Sequence, residues 1–144
     1  MGDYAACIGT RATDAPVAAL PSAILPNGAF QAVTGVRFGE ITDGLTNTLL
    51  VGEKHVPPSF FLKYPIDCGL YDGHNPVCNT RAGGPDFPLA RFRDDPSWKF
   101  GSYHPSHCPF AFCDGSVRMI PNSIDPYVLG LLAARNDGQA IPQY

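Results

Sequence analysis

The pattern of apolar and polar positions predicts a chain built mainly of short strands. Apolar runs bounded by Gly, Pro or Asn occur at residues 4–8, 33–38 and 48–51, and each has the length of a strand. The run at 48–51 shows no polar alternation, which indicates a strand that is buried on both faces.

The clearest local pattern is a hairpin at residues 108–120. Two strand-like runs flank Asp114-Gly115, and both residues accept the left-handed backbone angles of a tight turn. Pro109 has no backbone N–H, so the first run should begin there or lie at the edge of a sheet.

One helix is expected after the hairpin. Asp125 would cap its N-terminus, Pro126 would be its first residue, and Asn136-Asp137-Gly138 would end it. One helix face should pack against the sheet and comprises Ile124, Val128, Leu131, Leu132 and Arg135. The expected core comprises Leu49, Val51, Phe110, Phe112, Val117, Ile120, Val128, Leu131 and Leu132.

Residues 57–100 are the least regular part of the chain and contain seven prolines. A loop region of this length is usually functional or covers the surface of a domain. Its aromatic residues would hold the loop to the domain, or else line a binding surface; they are Phe60, Phe61, Tyr64, Tyr71, Phe87, Phe92 and Trp98.

Together these elements predict a single β-rich domain over residues 1–144. Residues 3–56 would supply the N-terminal strands, 57–100 the long loop region, and 101–140 the hairpin and the helix. The predicted fold class is α+β, with a mainly antiparallel sheet, a C-terminal helix packed on it, and long Pro- and Gly-rich loops.

Composition narrows the class of partner. Hydrophobic residues make up 44% of the 144 residues and charged residues 16%, which is typical of a globular domain. The net charge is −3 and no basic run occurs, which argues against nucleic acid as the main partner. No apolar run has the length of a membrane span, and we expect any targeting segment to lie upstream.

The cysteines suggest one disulfide. Because the count is odd, at least one thiol is unpaired within the chain; the five are Cys7, Cys68, Cys78, Cys108 and Cys113. Cys68 and Cys78 flank a turn-rich stretch, and a bridge between them would stabilise the fold by about 2–3 kcal/mol. The alternative is that both are free and buried in a reducing compartment.

Two phrases carry a resemblance to a known family. In the second phrase, nine residues separate a histidine from an Asp-Gly pair. The motif residues are Asp43, Gly44, Asn47, Thr48, Gly52 and Glu53 in the first phrase, and His104, Asp114 and Gly115 in the second. In this order, and followed by the helix, they resemble the bacterial prepilin-type processing-associated H-X9-DG family, also called domain of unknown function 1559. The resemblance covers roughly residues 30–140.

This resemblance implies a fold, a location and a mode of action. Family members begin with a prepilin-like leader and a long hydrophobic helix, followed by a β-rich extracytoplasmic domain, as pseudopilins do. It implies a pseudopilin-like globular domain in the extracellular space or cell envelope, outside the cytoplasmic membrane. Membrane contact would come only through an N-terminal helix of the parent protein, expected upstream of this sequence. The family supplies no catalytic residues.

A zinc site is one chemical hypothesis, with His104, His107, Cys108 and Cys113 as ligands. Its geometry is unfavourable. Cys108 and Cys113 are five residues apart, so their side chains would point to opposite faces of a regular strand.

Calcium is the better metal hypothesis, because hard cations prefer several oxygen ligands. The oxygen donors of the two phrases are Asp43, Asn47, Glu53 and Asp114, and residues 72–75 form a second candidate loop. Alternatively, Asp43 caps a turn and Glu53 pairs with an arginine such as Arg118. Calcium apart, we expect no cofactor.

The two ends of the His-x9-Asp-Gly motif would be separated by a strand. His104 would then anchor the entering loop through a side-chain hydrogen bond, and Asp114 would shape the hairpin by bonding nearby backbone N–H groups.

The sequence favours a non-enzymatic function. It contains no Gly-x-Ser-x-Gly elbow and no phosphate-binding Gly loop. We expect a structural or assembly module that acts through self-association or contacts with envelope proteins. The alternative is an extracytoplasmic binding module for a small solute, a glycan or calcium.

Overall fold

The fold is organised around a five-stranded mixed sheet. The computed structural model describes residues 2–11, 26–31, 34–69, 71, 75–95 and 98–144. The strands are β1 (Tyr4–Cys7), β2 (Leu49–Glu53), β3 (Thr80–Arg81), β4 (His107–Phe112) and β5 (Val117–Pro121). The α-helices are α1 (Pro76–Asn79) and α2 (Pro126–Ala133), and 3-10 turns occupy Phe38–Glu40, Leu45–Asn47 and Pro58–Phe60.

The strand order is β3-β1-β2-β4-β5, with β1 and β3 parallel and the other neighbours antiparallel. A mainly antiparallel sheet followed by a C-terminal helix confirms the predicted α+β class.

Strand alternation creates one buried face of the sheet, here called the inner face. In β4, Cys108, Phe110 and Phe112 are buried, whereas the intervening residues are partly exposed. The inner face packs with α2 and with Phe100 in one cluster, where the Phe100 and Phe110 rings meet edge to face at 5.1 Å. Burial of these aromatic rings is the main stabilisation of the sheet.

The N-terminus of α2 is formed as predicted. The Asp125 carboxylate accepts a hydrogen bond from the Tyr127 N–H at 2.7 Å, and Pro126 is the first helical residue. The helix ends earlier than expected, at Ala133, and every residue from Val128 to Ala133 is buried. The helix is therefore enclosed on more than the predicted face, because the chain at Gly83 and Gly84 packs on it from the other side.

The hairpin between β4 and β5 is confirmed, but its turn differs from the predicted two-residue type. The Gly115 N–H donates to the Phe112 carbonyl, and the Phe112 N–H donates to the Ser116 carbonyl. Of the turn residues only Gly115, with φ of +85°, has a positive φ. This is a three-residue loop closed by a bulge, which requires glycine at that position alone.

Three local predictions in the N-terminal half and the hairpin were wrong. No strand forms within described residues 34–38, where the backbone enters the 3-10 turn Phe38–Glu40. Pro109 lies in a central strand rather than at an edge; the pairing of β2 with β4 stops at Phe110, so no donor is needed at Pro109. Val117 is 69% exposed because it points to the outer face of β5.

Strand β2 is not buried on both faces as its apolar run suggested. A register shift between Leu49 and Val51 resets the alternation, so that Leu49 and Gly52 both face the inner side. Val51, a predicted core residue, is only partly buried for the same reason. Apart from Val51 and the exposed Val117, the predicted core residues are buried.

Most of the aromatic residues of the long loop region do not hold it down as expected, although the Phe61 ring meets the Tyr103 ring edge-on at 6.4 Å. The exposed ones are Phe60, Phe61, Tyr64, Tyr71 and Phe92. Phe87 and Trp98 are partly buried. The loop is instead held by polar contacts and by a disulfide, described below.

We predict that Gly52→Ala destabilises the fold by about 2–3 kcal/mol. A Cβ at this position would lie 2.3 Å from the Phe110 ring and 2.9 Å from the Phe100 ring, so the central packing must shift. The free energy of unfolding in urea measures the effect. Gly39→Ala is the matched control, since its Cβ would meet nothing within 4 Å. Equal effects of the two substitutions would contradict the packing argument.

Candidate functional site

The two motif phrases meet at the turn end of the hairpin. The Asp114 N–H donates to the Leu45 carbonyl at 3.1 Å, and the Cys113 N–H donates to the Thr48 carbonyl at 2.9 Å. The Thr48 hydroxyl in turn donates to the Gly44 carbonyl at 3.1 Å. Backbone hydrogen bonds therefore join the Asp-Gly turn to the 3-10 turn before β2.

Asp43 extends this junction to the segment after α2. Its carboxylate accepts hydrogen bonds from the Asp137 N–H at 2.7 Å and the Gly138 N–H at 2.9 Å. Its own N–H donates to the Arg135 carbonyl at 3.1 Å. The expected capping role is wrong, because Gly44 precedes the 3-10 turn and no side chain caps it.

Asp114 has its predicted role in the hairpin. Its carboxylate accepts from the Ser116 N–H at 2.8 Å and from the Ser116 hydroxyl at 2.7 Å. These Ser116 hydrogen bonds hold the pKa of the carboxyl below its usual range, while burial opposes them and the Arg118 charge assists. The Arg118 guanidinium lies 3.9 Å from this carboxylate and 4.1 Å from the centre of the Phe112 ring. All of these contacts shape the turn.

His104 lies at the opposite end of β4 from Asp114, as predicted, because the strand's six residues separate them. The expected side-chain hydrogen bond is not formed with any described residue. The backbone anchors the loop instead: the His104 carbonyl accepts from the Asn122 side chain at 3.2 Å, and its N–H donates to the Ser102 hydroxyl at 3.0 Å. The imidazole is left exposed.

The predicted metal ligands are not brought together. For calcium, Asp43, Asn47 and Asp114 belong to the turn-end junction, whereas Glu53 lies at the far end of β2. The second candidate loop, 72–74 with Asn75, lies largely outside the described residues. Across the described ranges, no group of three or more His, Cys, Asp or Glu side chains is placed to hold a metal ion.

The zinc hypothesis fails on the same geometry. Cys108 is buried on the inner face, and Cys113 follows the other end of the strand. Burial raises the pKa of the Cys108 thiol to about 12 and that of Cys113 to about 11. Because β4 separates the two cysteines, their sulfur atoms cannot share one zinc ion. His107 is engaged with the Ser106 hydroxyl at 2.7 Å.

The disulfide between Cys68 and Cys78 is formed, as predicted. The backbone carbonyls of Cys68 and Cys78 both accept hydrogen bonds from the ammonium group of Lys54, each at 3.2 Å. Lys54 follows β2 and is buried. Burial and the nearby Arg81 charge lower the pKa of Lys54, and Asp67 and Asp3 oppose them. Lys54 thus ties the disulfide loop to the sheet.

A polar cavity of about 290 Å³ lies beside His104, here called the His104 pocket. It is formed by four separate parts of the chain, which are His55, the loop 90–93, the loop 102–105 and Asn122. Its polar lining contains cationic, imidazole, hydroxyl and amide groups and no carboxylate: His55, Arg91, Arg93, Ser102, Tyr103, His104 and Asn122.

His55 and Asp95 hold one wall of this pocket in place. The His55 Nε2 lies 3.1 Å from the Asp95 carbonyl, and its ring lies 5.8 Å from that of Tyr103. The Asp95 carboxylate accepts from the Arg91 N–H at 2.7 Å and the Phe92 N–H at 3.1 Å. The pocket wall is therefore built by hydrogen bonds and does not depend on an ion pair.

Sequence reasoning missed Lys54, His55, Arg91 and Arg93. A weak signal was present for the first two, since a Lys-His pair directly after a buried strand has to be accommodated near the core. For the arginines the signal was the Arg91-Phe92-Arg93 triplet, which places two cations around one exposed aromatic ring.

We predict that Lys54→Met lowers stability by about 1–3 kcal/mol, because the buried Cys78 carbonyl and the partly buried Cys68 carbonyl lose their donor. Urea unfolding measures this in oxidised and in reduced protein. The cost should shrink after reduction, since the carbonyls of Cys68 and Cys78 are then no longer held together. Lys63→Met, at an exposed position, is the control and should change stability by less than about 0.5 kcal/mol. An identical cost in both redox states would refute the coupling.

We also predict that stability falls as the pH drops below about 6.5. Burial lowers the pKa of His55 from 6.5, with Arg81 assisting and Asp95 opposing. As the pH falls, His55 is therefore protonated in the unfolded chain before it is protonated in the folded chain. The stability that the neutral, buried His55 gives is fully present above pH 6.5 and is lost on acidification below it. Urea unfolding from pH 7.5 to 5.5 measures the slope. His55→Gln should flatten it; an unchanged slope would show that another group is responsible.

Comparison with known proteins identifies the family. The family described as "Protein of unknown function (DUF1559)" matches residues 10–127, which include both motif phrases and the start of α2. No curated protein and no solved structure gives a significant match. In the part of the chain that the structure describes, no helix is both long and apolar enough to cross a membrane. The match covers most of the chain, and the protein therefore belongs to the DUF1559 family.

Proposed function

We propose that this chain is a non-enzymatic structural or assembly module of the cell envelope, pseudopilin-like, that acts by self-association. The observation that carries the proposal is the open edge of the sheet at β5 (Val117–Pro121). Membership of DUF1559 is consistent with this function and assigns no other.

Among the described residues no strand pairs with the outer edge of β5, which therefore offers unpaired backbone groups. The Phe112 N–H bonds to Ser116 and the Asn122 N–H bonds to Ser106, so the even-numbered residues of β5 pair with β4. In an antiparallel pair this alternation directs the N–H and C=O groups of Val117 and Met119 away from β4. An edge of this kind is a template for another strand.

The side chains beside these groups are apolar and exposed. Val117 is 69% exposed and Met119 is 55% exposed, and both lie on the outer face of the sheet. The opposite edge is less open, because Ala82, next to β3, bridges to Lys99. Pro121 lacks a donor and limits the free edge to the stretch from Val117 to Met119.

A second copy of this chain is the occupant we propose for the edge. Two β5 strands can pair antiparallel across a two-fold axis, so that the same short apolar edge serves both partners. The contact is short, and its affinity would be low unless further surface contributes. Weak, reversible contacts of this kind suit a module that assembles in an array.

The disulfide supports an extracytoplasmic location. Cys68 and Cys78 form a disulfide, and such bonds persist in oxidising compartments. Burial raises the pKa of the Cys7 thiol to about 12, which argues against this cysteine as a nucleophile.

We predict that the double substitution Val117→Lys, Met119→Lys weakens self-association by at least about tenfold, because like charges would face each other across the paired edges. Sedimentation velocity over a concentration series measures the dimerisation constant. Ser123→Lys adds a charge at an exposed site outside the strand and should leave association unchanged. A protein that is monomeric at all concentrations, or a double variant that associates like the unsubstituted chain, would contradict the proposal.

A second candidate function is the binding of a small solute or glycan. The specific observation in its favour is the His104 pocket, whose polar groups converge from four segments beside the exposed ring of Phe92.

A further inference from the structure

We propose that the His104 pocket binds an acidic sugar, with its carboxylate held by Arg91 and Arg93 and its ring against Phe92 and Tyr103. This site is separate from the β5 edge, and the inference does not depend on self-association.

The pocket has cationic groups that are available to a ligand. Arg91 and Arg93 line it, and neither guanidinium forms an ion pair or hydrogen bond with a described residue. Among the described residues no carboxylate lines the cavity itself; the carboxylates of Asp94 and Asp95 lie outside it, within electrostatic range of Tyr103 and His55. Two free guanidinium groups at a concave site form a receptor for a carboxylate or another oxyanion.

Some polar side chains of the pocket hold its walls in place, and others remain free to contact a ligand. His55 bonds to the Asp95 carbonyl, and the Tyr103 hydroxyl donates to the Val56 carbonyl at 2.7 Å. The Asn122 amide donates to the His104 carbonyl. These groups are positioning residues that fix the walls. The imidazole of His104 has no hydrogen-bond partner among the described residues, and it can bond to a ligand hydroxyl or carboxylate.

The pocket also has a ring-sized volume and exposed aromatic surface. Phe92 is 74% exposed and Tyr103 is 50% exposed, so both present ring surface at the pocket. A cavity of about 290 Å³ accommodates a single ring and not an extended chain. A simple anion would use the arginines and leave the rings idle, whereas a sugar acid uses both surfaces.

The loop that carries the arginines is held in shape before a ligand arrives. Asp95 accepts hydrogen bonds from the backbone of Arg91 and Phe92, and these bonds leave both guanidinium groups free. Such preorganisation reduces the entropy lost on binding. Substitution of the arginine side chains should therefore leave the loop intact.

The experiment is a titration of the disulfide-bonded chain with sodium galacturonate at constant ionic strength, followed by backbone amide NMR shifts. We expect saturable shifts confined to residues 90–95 and 101–105. Galactose, which has the ring without the charge, should bind at least about tenfold more weakly, and sodium sulfate, which has charge without a ring, should also bind more weakly.

Two variants and a control locate the site. Arg91→Gln with Arg93→Gln should weaken galacturonate binding at least about tenfold, and Phe92→Ala should weaken it without abolishing it. Lys63→Gln removes one exposed charge elsewhere and should have no effect. Amide spectra of each variant report whether the fold is kept.

Three results would overturn the inference. They are an absence of saturable shifts with galacturonate, equal affinity for sulfate and galacturonate with no effect of Phe92→Ala, and unchanged binding in the double arginine variant. The second result would identify a site for simple anions, and the third would place the sugar elsewhere on the surface.

Discussion

The contact between the Phe110 ring and the backbone of Gly52 is the constraint on which the rest of the structure depends. Only a residue without Cβ lets the ring lie flat on β2, since a Cβ would come within 2.3 Å of it. This contact fixes β2 beside β4, and the same ring packs against Phe100. The hairpin and α2 then assemble on a face whose position is already set.

The two ends of the hairpin differ in whether their polar groups are already hydrogen-bonded within the protein. The turn end is closed by backbone hydrogen bonds from Cys113 and Asp114 to the turn before β2, and its polar groups are satisfied. The opposite end, at His104, is anchored through its backbone and keeps its imidazole and the neighbouring arginines free. The His-x9-Asp-Gly motif therefore has a structural role at its Asp-Gly end, whereas its His104 end lies beside side chains that can contact a ligand.

The features that could be predicted from the sequence depend on local backbone chemistry. Gly115 accepts a positive φ, Asp125 caps α2, and Cys68 and Cys78 lie close along the chain. The bulge in β2 could not be predicted, because it results from pairing with β4, about 60 residues away. The exposure of Val51 and Val117 follows from that pairing and from the strand order, neither of which an apolar run specifies.

The His104 pocket could not be predicted from the sequence either, because it also depends on contacts between distant segments. Its parts come from four segments, and one wall depends on His55, which lies with Lys54 just after Gly52 and Glu53 along the chain. Gly52 serves the core, Lys54 holds the disulfide loop, and His55 supports the arginine loop. The neighbours Lys54 and His55 reach different surroundings because successive side chains of an extended chain alternate between faces. A short motif can thus join core, disulfide loop and pocket, and its residues acquire these roles only once distant segments have packed around it.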